Sequence, residues 1–365
     1  MRKTKRSTAF LKTLAGVCLV LGIVQSHSLL AQSLDIPAKK WGISFGNSKD
    51  FAGLRFNFRD SRVKRINGVN FTLWMPRRNN KEAVVSGLSL GIMPGGGKVR
   101  GIQLGLLGVA AEANLTGLNI AGLGVGAGDN LTGINIGGLG LGAGENVTGI
   151  SFGGAGVGAG EDLVGIGIGG LGVGAGENAT GLFVGGLGVG AGTNFKGLAI
   201  GGLGVGCGKD FTGIAFGGLG VGCGESFTGI AIAGLGAGCG ENFTGIAIVG
   251  LGAGCGESFT GIAIGGIGAG APNVRGLVVG GIGVGGMDLR GVFASVAMVR
   301  VEKGGRLTGL AVSSFNHIRG TLNGLSIGIV NYTWKLDKGV QIGLVNIVRD
   351  NPKGLRVLPV FNTGF

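Results

Sequence analysis

The chain has 365 residues, 88 of them glycine, with 44% hydrophobic and only 13% charged residues and a formal net charge of +13. Collagen needs a strict three-residue period and much proline, whereas this chain has six prolines and a different period. Disorder needs low hydrophobicity and high charge, so the glycine sits inside something that folds and buries apolar side chains.

Residues 1–31 read as a secretory signal. Arg2, Lys3, Lys5 and Arg6 form a basic start, and Leu14 to Val24 an apolar core too short to span a bilayer. Cleavage is expected after Ala31, and five bases, Lys12 included, leave with the segment. Residues 32–100 carry irregular repeats and a cap, 101–275 regular sixteen-residue repeats, and 276–365 irregular repeats and a second cap. The block from Glu112 to Gly270 has ten acids and two bases, a net −8. The flanks therefore carry 13 − 5 + 8 = +16, which suits solvated caps or an acidic partner at the ends.

The repeat dominates everything else. Gly117, Gly133, Gly149, Gly165, Gly181, Gly197, Gly213, Gly229, Gly245 and Gly261 stand sixteen apart. Each is followed by an apolar residue, a small or polar one, and usually another apolar one. The same signature occurs upstream at Gly53, Gly68, Gly87 and Gly101, and downstream at Gly276, Gly291, Gly309, Gly324, Gly339 and Gly354, which makes twenty units. In the unit from Phe243 to Ser258, Ile246 and Ile248 alternate with Ala247, a strand period. After Gly250, the residues Leu251, Ala253 and Cys255 alternate with glycines, and a polar turn follows. Each unit is thus two short strands and two turns. Strands so short bury nothing alone, but stacked coils cover one another.

The large aliphatics are expected to point inward and the residues between them outward. The outward column then runs from Arg55, Asn70, Ser89, Gln103, Asn119 and Asn135 to Ala199, Ala215, Ala231, Ala247 and Ala263, and on to Ser326, Gln341 and Arg356. The second strand presents mostly glycine on its outer face. The flat face of Ala199, Ala215, Ala231, Ala247 and Ala263 is the candidate interaction face. The predicted architecture is all-β, a parallel β-solenoid of about twenty coils. An outer-membrane β-barrel is the alternative, supported by the terminal Phe365 and the alternation of Val357, Pro359 and Phe361.

The C-terminal part, roughly residues 305–365, resembles a family of uncharacterised bacterial surface-repeat proteins with the repeat G-[LV]-Q-[IL]-G-[LI]-[IV]-N. Gly339 to Asn346 (GVQIGLVN) matches it, Gly324 to Asn331 (GLSIGIVN) is the previous copy, and Gly309 to Asn316 a degenerate one. The resemblance implies export and a cell-surface or outer-membrane location, and implies no activity. The central block departs from the pattern by replacing Gln and Asn with Ala and Gly.

Little in the sequence supports catalysis. His317 is the one histidine outside the signal and falls in an expected turn. Cys207, Cys223, Cys239 and Cys255 continue a column begun by Ala127, Ala143, Ala159, Ala175 and Ala191. A line of thiols cannot supply the tetrahedral corners zinc wants; buried free thiols fit best, with disulfides between coils as the alternative. Asp129, Glu145, Glu161, Glu177, Glu225, Glu241 and Glu257 form an acidic column at one turn, either a solvating edge or a cation site. Asn130, Asn146, Asn178 and Asn242 begin N-x-T sequons that read more simply as turn asparagines, and Asn316, Asn331 and Asn346 predict an amide ladder along one corner. The expectation is a non-enzymatic exported surface or outer-membrane repeat protein with a structural or adhesive role, with a membrane barrel or pore as the alternative. No cofactor and no nucleic acid is expected; cell-envelope components or a second copy are the candidate partners.

Overall fold

The computed structural model describes residues 33–77 and 80–365, so the signal segment read over residues 1–31 lies outside the described residues. The chain winds into a parallel β-solenoid of about 18 turns. In a representative coil the strand Phe211–Gly217 is followed by a Gly-Leu corner, the strand Gly220–Cys223 and a Gly-Glu-Ser corner. Each strand pairs in parallel with its counterpart one coil away: Phe211 meets Phe195 and Phe227, and Cys223 meets Cys207 and Cys239. A membrane barrel would pair sequence neighbours antiparallel. Antiparallel pairing occurs only at the two ends of the described chain, so the barrel alternative does not hold.

The glycine that starts each repeat explains the sixteen-residue metre. From Gly42 to Gly339 the chain passes this column with φ between +113° and +147°, a region that favours glycine. A Cβ there would also lie 1.9 to 2.4 Å from a backbone carbonyl oxygen of the preceding turn. Any side chain would force neighbouring coils apart. The predicted unit at Gly354 is absent, because Lys353–Leu355 forms a short 3-10 turn before the last strand.

The core is narrow. Each coil offers it one large side chain two residues before the glycine, a small one two residues after, and one from the second strand: Phe211, Ala215 and Val221, all 5% exposed or less. Five phenylalanines, Phe195 to Phe259, stack face to face at 4.7 to 4.9 Å along the axis. Where Ala179 interrupts that column, Phe183 supplies the missing ring from four residues on, and Gly167 leaves room for it in the previous coil. The Phe183 ring thus fills space that Ala179 and Gly167 leave open, as close packing requires.

Both ends are closed differently from the middle. At the N-terminal end Arg55 is fully buried against Asp60 at 2.7 Å and donates to Asn70 and Asn47. Asn119 donates to Asn135 further along the same column. At the C-terminal end Asn316 donates to Asn331, and Asn331 to Asn346, each at 2.8 Å, the amide ladder that the fifteen-residue spacing predicts, buried rather than set at a corner. Ser33–Ala38 folds back antiparallel on Trp41–Gly46, and Val357–Thr363 on Val330–Val348. Each terminal strand carries a proline, Pro37 and Pro359, which blunts an open sheet edge. The alternation of Val357, Pro359 and Phe361 thus belongs to a cap strand.

Candidate functional site

The alanine face predicted from the sequence is inside the molecule. Ala199, Ala215, Ala231 and Ala247 are 0% exposed and Ala263 is 1% exposed. Arg55, Asn70, Ser89, Gln103, Asn119, Asn135, Ser326 and Gln341, read as outward in the same column, are also buried. Arg356 falls outside the column, beside the terminal 3-10 turn. The inversion has a steric cause. The coil is too thin to take two large side chains from one strand, so the phenylalanine two residues before the glycine fills the core. Alternation then turns alanine in and isoleucine out.

The outer surface of the first strand is consequently apolar. Three columns follow each repeat glycine at one, three and six residues: Ile214, Phe216 and Leu219 in one coil, Ile246, Ile248 and Leu251 two coils on. Across the ten coils from Gly117 to Gly261 all thirty of these positions are apolar and none is charged. Leu139 is 60% exposed and Ile248 42%. Ten coils at ~4.8 Å and five residues at ~3.3 Å give a stripe of roughly 800 Å². The largest apolar patch on an ordinary monomer is about 300–600 Å². The stripe runs on into both flanks, where Phe45, Phe56 and Phe71 stack along one of its columns.

Its borders are chemically distinct. The residue before the repeat glycine forms a largely exposed rail of threonines from Thr116 to Thr260, interrupted by Val164 and Lys196 and flanked by Arg100, Arg275 and Arg290. Beyond the rail lies the acidic corner of Asp129, Glu145, Glu161, Glu177, Glu225, Glu241 and Glu257. The next residue in each turn forms a ladder, with Asn130 donating to Asn114, Asn146 to Asn130, Asn178 to Asp162 and Asn194 to Asn178. This gives the sequon asparagines 130, 146 and 178 a structural role. Among the described residues no three or more His, Cys, Asp or Glu side chains gather to hold a metal ion. On the other side, the second strand shows glycine outward as predicted. Cβ atoms at Gly126 and Gly158 would meet nothing within 4 Å, so the backbone does not impose glycine there.

The four cysteines stack in register on adjacent second strands, half-buried against the core and unbridged. His317 lies in the strand Phe315–Ile327, stacked on Phe315, and not in a turn. Burial, with Arg319 and Arg300 nearby, lowers its pKa. The C-terminal coils lack the glycine-acid corner, so their strands run through where a turn was expected. No helix among the described residues is long and apolar enough to cross a membrane. No protein family, curated protein or solved structure matches this chain.

Sequence reasoning missed the stripe, although its signal was present. Phe195, Phe211, Phe227, Phe243 and Phe259 recur at the same spacing as the isoleucines, and a narrow core has room for only one of the two sets.

Proposed function

We propose that this protein is an exported, non-enzymatic repeat scaffold of the cell surface or outer membrane, with a structural or adhesive role, and that it lies with its apolar stripe against envelope lipid. The observation that carries the reading is the uncharged stripe of thirty outward positions. Exposed apolar area of this size marks a contact surface.

Charge selects lipid over a second copy. The N-terminal flank, residues 32–111, has thirteen bases and four acids, +9, and residues 271–365 have eleven and four, +7. Pairing two copies stripe to stripe sets basic end against basic end in either orientation. An anionic headgroup layer instead complements both ends. Arg100, Lys196, Arg275 and Arg290 on the rail stand at the depth where long basic side chains reach headgroups while their stems cover apolar surface. The acidic corner lies beyond the rail, off the stripe. Interfacial binding of this kind scales with buried apolar area plus attraction to anionic lipid. The motif resemblance over residues 305–365 implies the same location.

Flotation of the mature chain with phosphatidylcholine–phosphatidylglycerol vesicles tests this. Wild type is expected to float with the lipid. The triple variant Ile214→Lys, Ile230→Lys, Ile246→Lys is expected to stay behind with unchanged circular dichroism, because those side chains point outward. Wild type remaining at the bottom, or a variant floating equally well, overturns the reading. A dimer in sedimentation equilibrium that the same substitutions dissolve assigns the stripe to a second copy instead.

A further inference from the structure

The cysteine column is unlike any other interior column. Its position is filled by alanine at Ala111, Ala127, Ala143, Ala159, Ala175, Ala191 and Ala271, so packing does not require sulfur there. Cysteine takes it over in four consecutive coils and nowhere else among the described residues. The four residues pair in register, Cys207 with Cys223, Cys223 with Cys239, Cys239 with Cys255. Each is flanked on both sides by glycine, so no neighbouring side chain in its strand shields the thiol. All four remain partly exposed. Glu225, Glu241 and Glu257 follow the last three thiols by two residues, which places negative charge beside the ladder.

Parallel register holds sulfurs of adjacent strands about 4.8 Å apart when their rotamers match. That is long for a disulfide, whose Cβ atoms must approach to about 3.5–4.5 Å. It is close to the span of a metal ion held in a straight line between two thiolates, which at the zinc–sulfur bond length of about 2.3 Å would be about 4.6 Å and for two-coordinate Cu(I) a little less. Thiolates suit Cu(I), zinc and iron–sulfur clusters, and of these a line of paired ligands suits Cu(I), a soft ion of low coordination number. Zinc, which takes four tetrahedral ligands, does not fit.

We propose that the thiol ladder is a Cu(I) site, with one ion between Cys207 and Cys223 and a second between Cys239 and Cys255. Each Cu(I) forms two copper–sulfur bonds and displaces the protons those thiols carry, which pass to solvent; no electron is transferred. The thiols already act on one another. Hydrogen bonds from Cys223 and Cys255 lower the pKa of Cys239, and Cys223, flanked by Cys207 and Cys239, is raised.

The test is anaerobic titration of the full mature chain with Cu(I) against a chromogenic Cu(I) chelator. Wild type is expected to withhold two equivalents. Cys223→Ala should withhold one, because the pair Cys239–Cys255 survives. The variant with all four cysteines replaced by alanine should withhold none while melting like wild type, since alanine already occupies this column elsewhere. Absence of retention by wild type, or retention unchanged in the four-alanine variant, overturns the proposal. So does mass spectrometry that finds the four cysteines joined as disulfides in the purified chain. Zinc added in place of copper should not be retained, and tight zinc binding equally counts against a linear site.

Discussion

Gly165 and Gly158 lie seven residues apart and serve different purposes. Gly165 has φ +117°, and a Cβ on it would lie 2.2 Å from the Gly149 carbonyl oxygen. Gly158 faces open space and has an ordinary backbone conformation. Gly165→Ala should therefore unfold the array or cost several kcal/mol, well beyond the ~1 kcal/mol of an average substitution. Gly158→Ala should leave stability unchanged or raise it by about 0.4–1 kcal/mol, by restricting the unfolded chain. Urea unfolding of both variants decides the matter, and equal destabilisation would mean that the outer glycine face is structural after all. The repeat glycine was legible in the sequence from its unbroken spacing. The inward direction of Ala215 was not, because side-chain alternation fixes two faces without saying which is inside. Hydrophobicity pointed to Ile214 and Phe216, and the width of the coil overruled it.

At the scale of the strand, the exchange between Ala179 and Phe183 shows how the core tolerates a variable sequence. From Ala179 to Phe259 each coil puts one ring into the core, and either of two positions supplies it. Phe183→Ala should leave a cavity and cost about 3–5 kcal/mol. Ala179→Phe should overpack the same coil by about 1–3 kcal/mol. Combining them moves the ring into the column used by Phe195 and Phe211, and most of the loss should be recovered, giving a strong coupling in a double-mutant cycle. Additive losses would show that the two positions do not share one volume. The strands themselves, their two corners and the glycine outer face of the second strand were all readable from period and turn chemistry. The long C-terminal strands were not, because Arg319-Gly320 replaces the glycine-acid corner of earlier coils and the strand Phe315–Ile327 runs straight through it, while His317 takes the second-strand column of Gly254, Gly270 and Gly285.

As a whole the molecule is a rod. About 18 turns at ~4.8 Å per coil give a length of roughly 85 Å, and small-angle scattering of the mature chain should return a maximum dimension near that value; a compact particle would contradict the coil stacking. Within such an array the middle coils are nearly interchangeable. A strand displaced by one whole repeat would still set phenylalanine on phenylalanine and alanine on alanine, so the central sequence cannot count its own turns. The ends can. Arg55 finds its carboxylate only at Asp60, and the amide run Asn316, Asn331, Asn346 occurs only at the C-terminal end. Polar groups of this kind cost desolvation and are best understood as markers of registry. The rod thus has two numbered ends and an unnumbered shaft, and the charged and amide pairs, not the apolar stack between them, give every molecule the same number of turns.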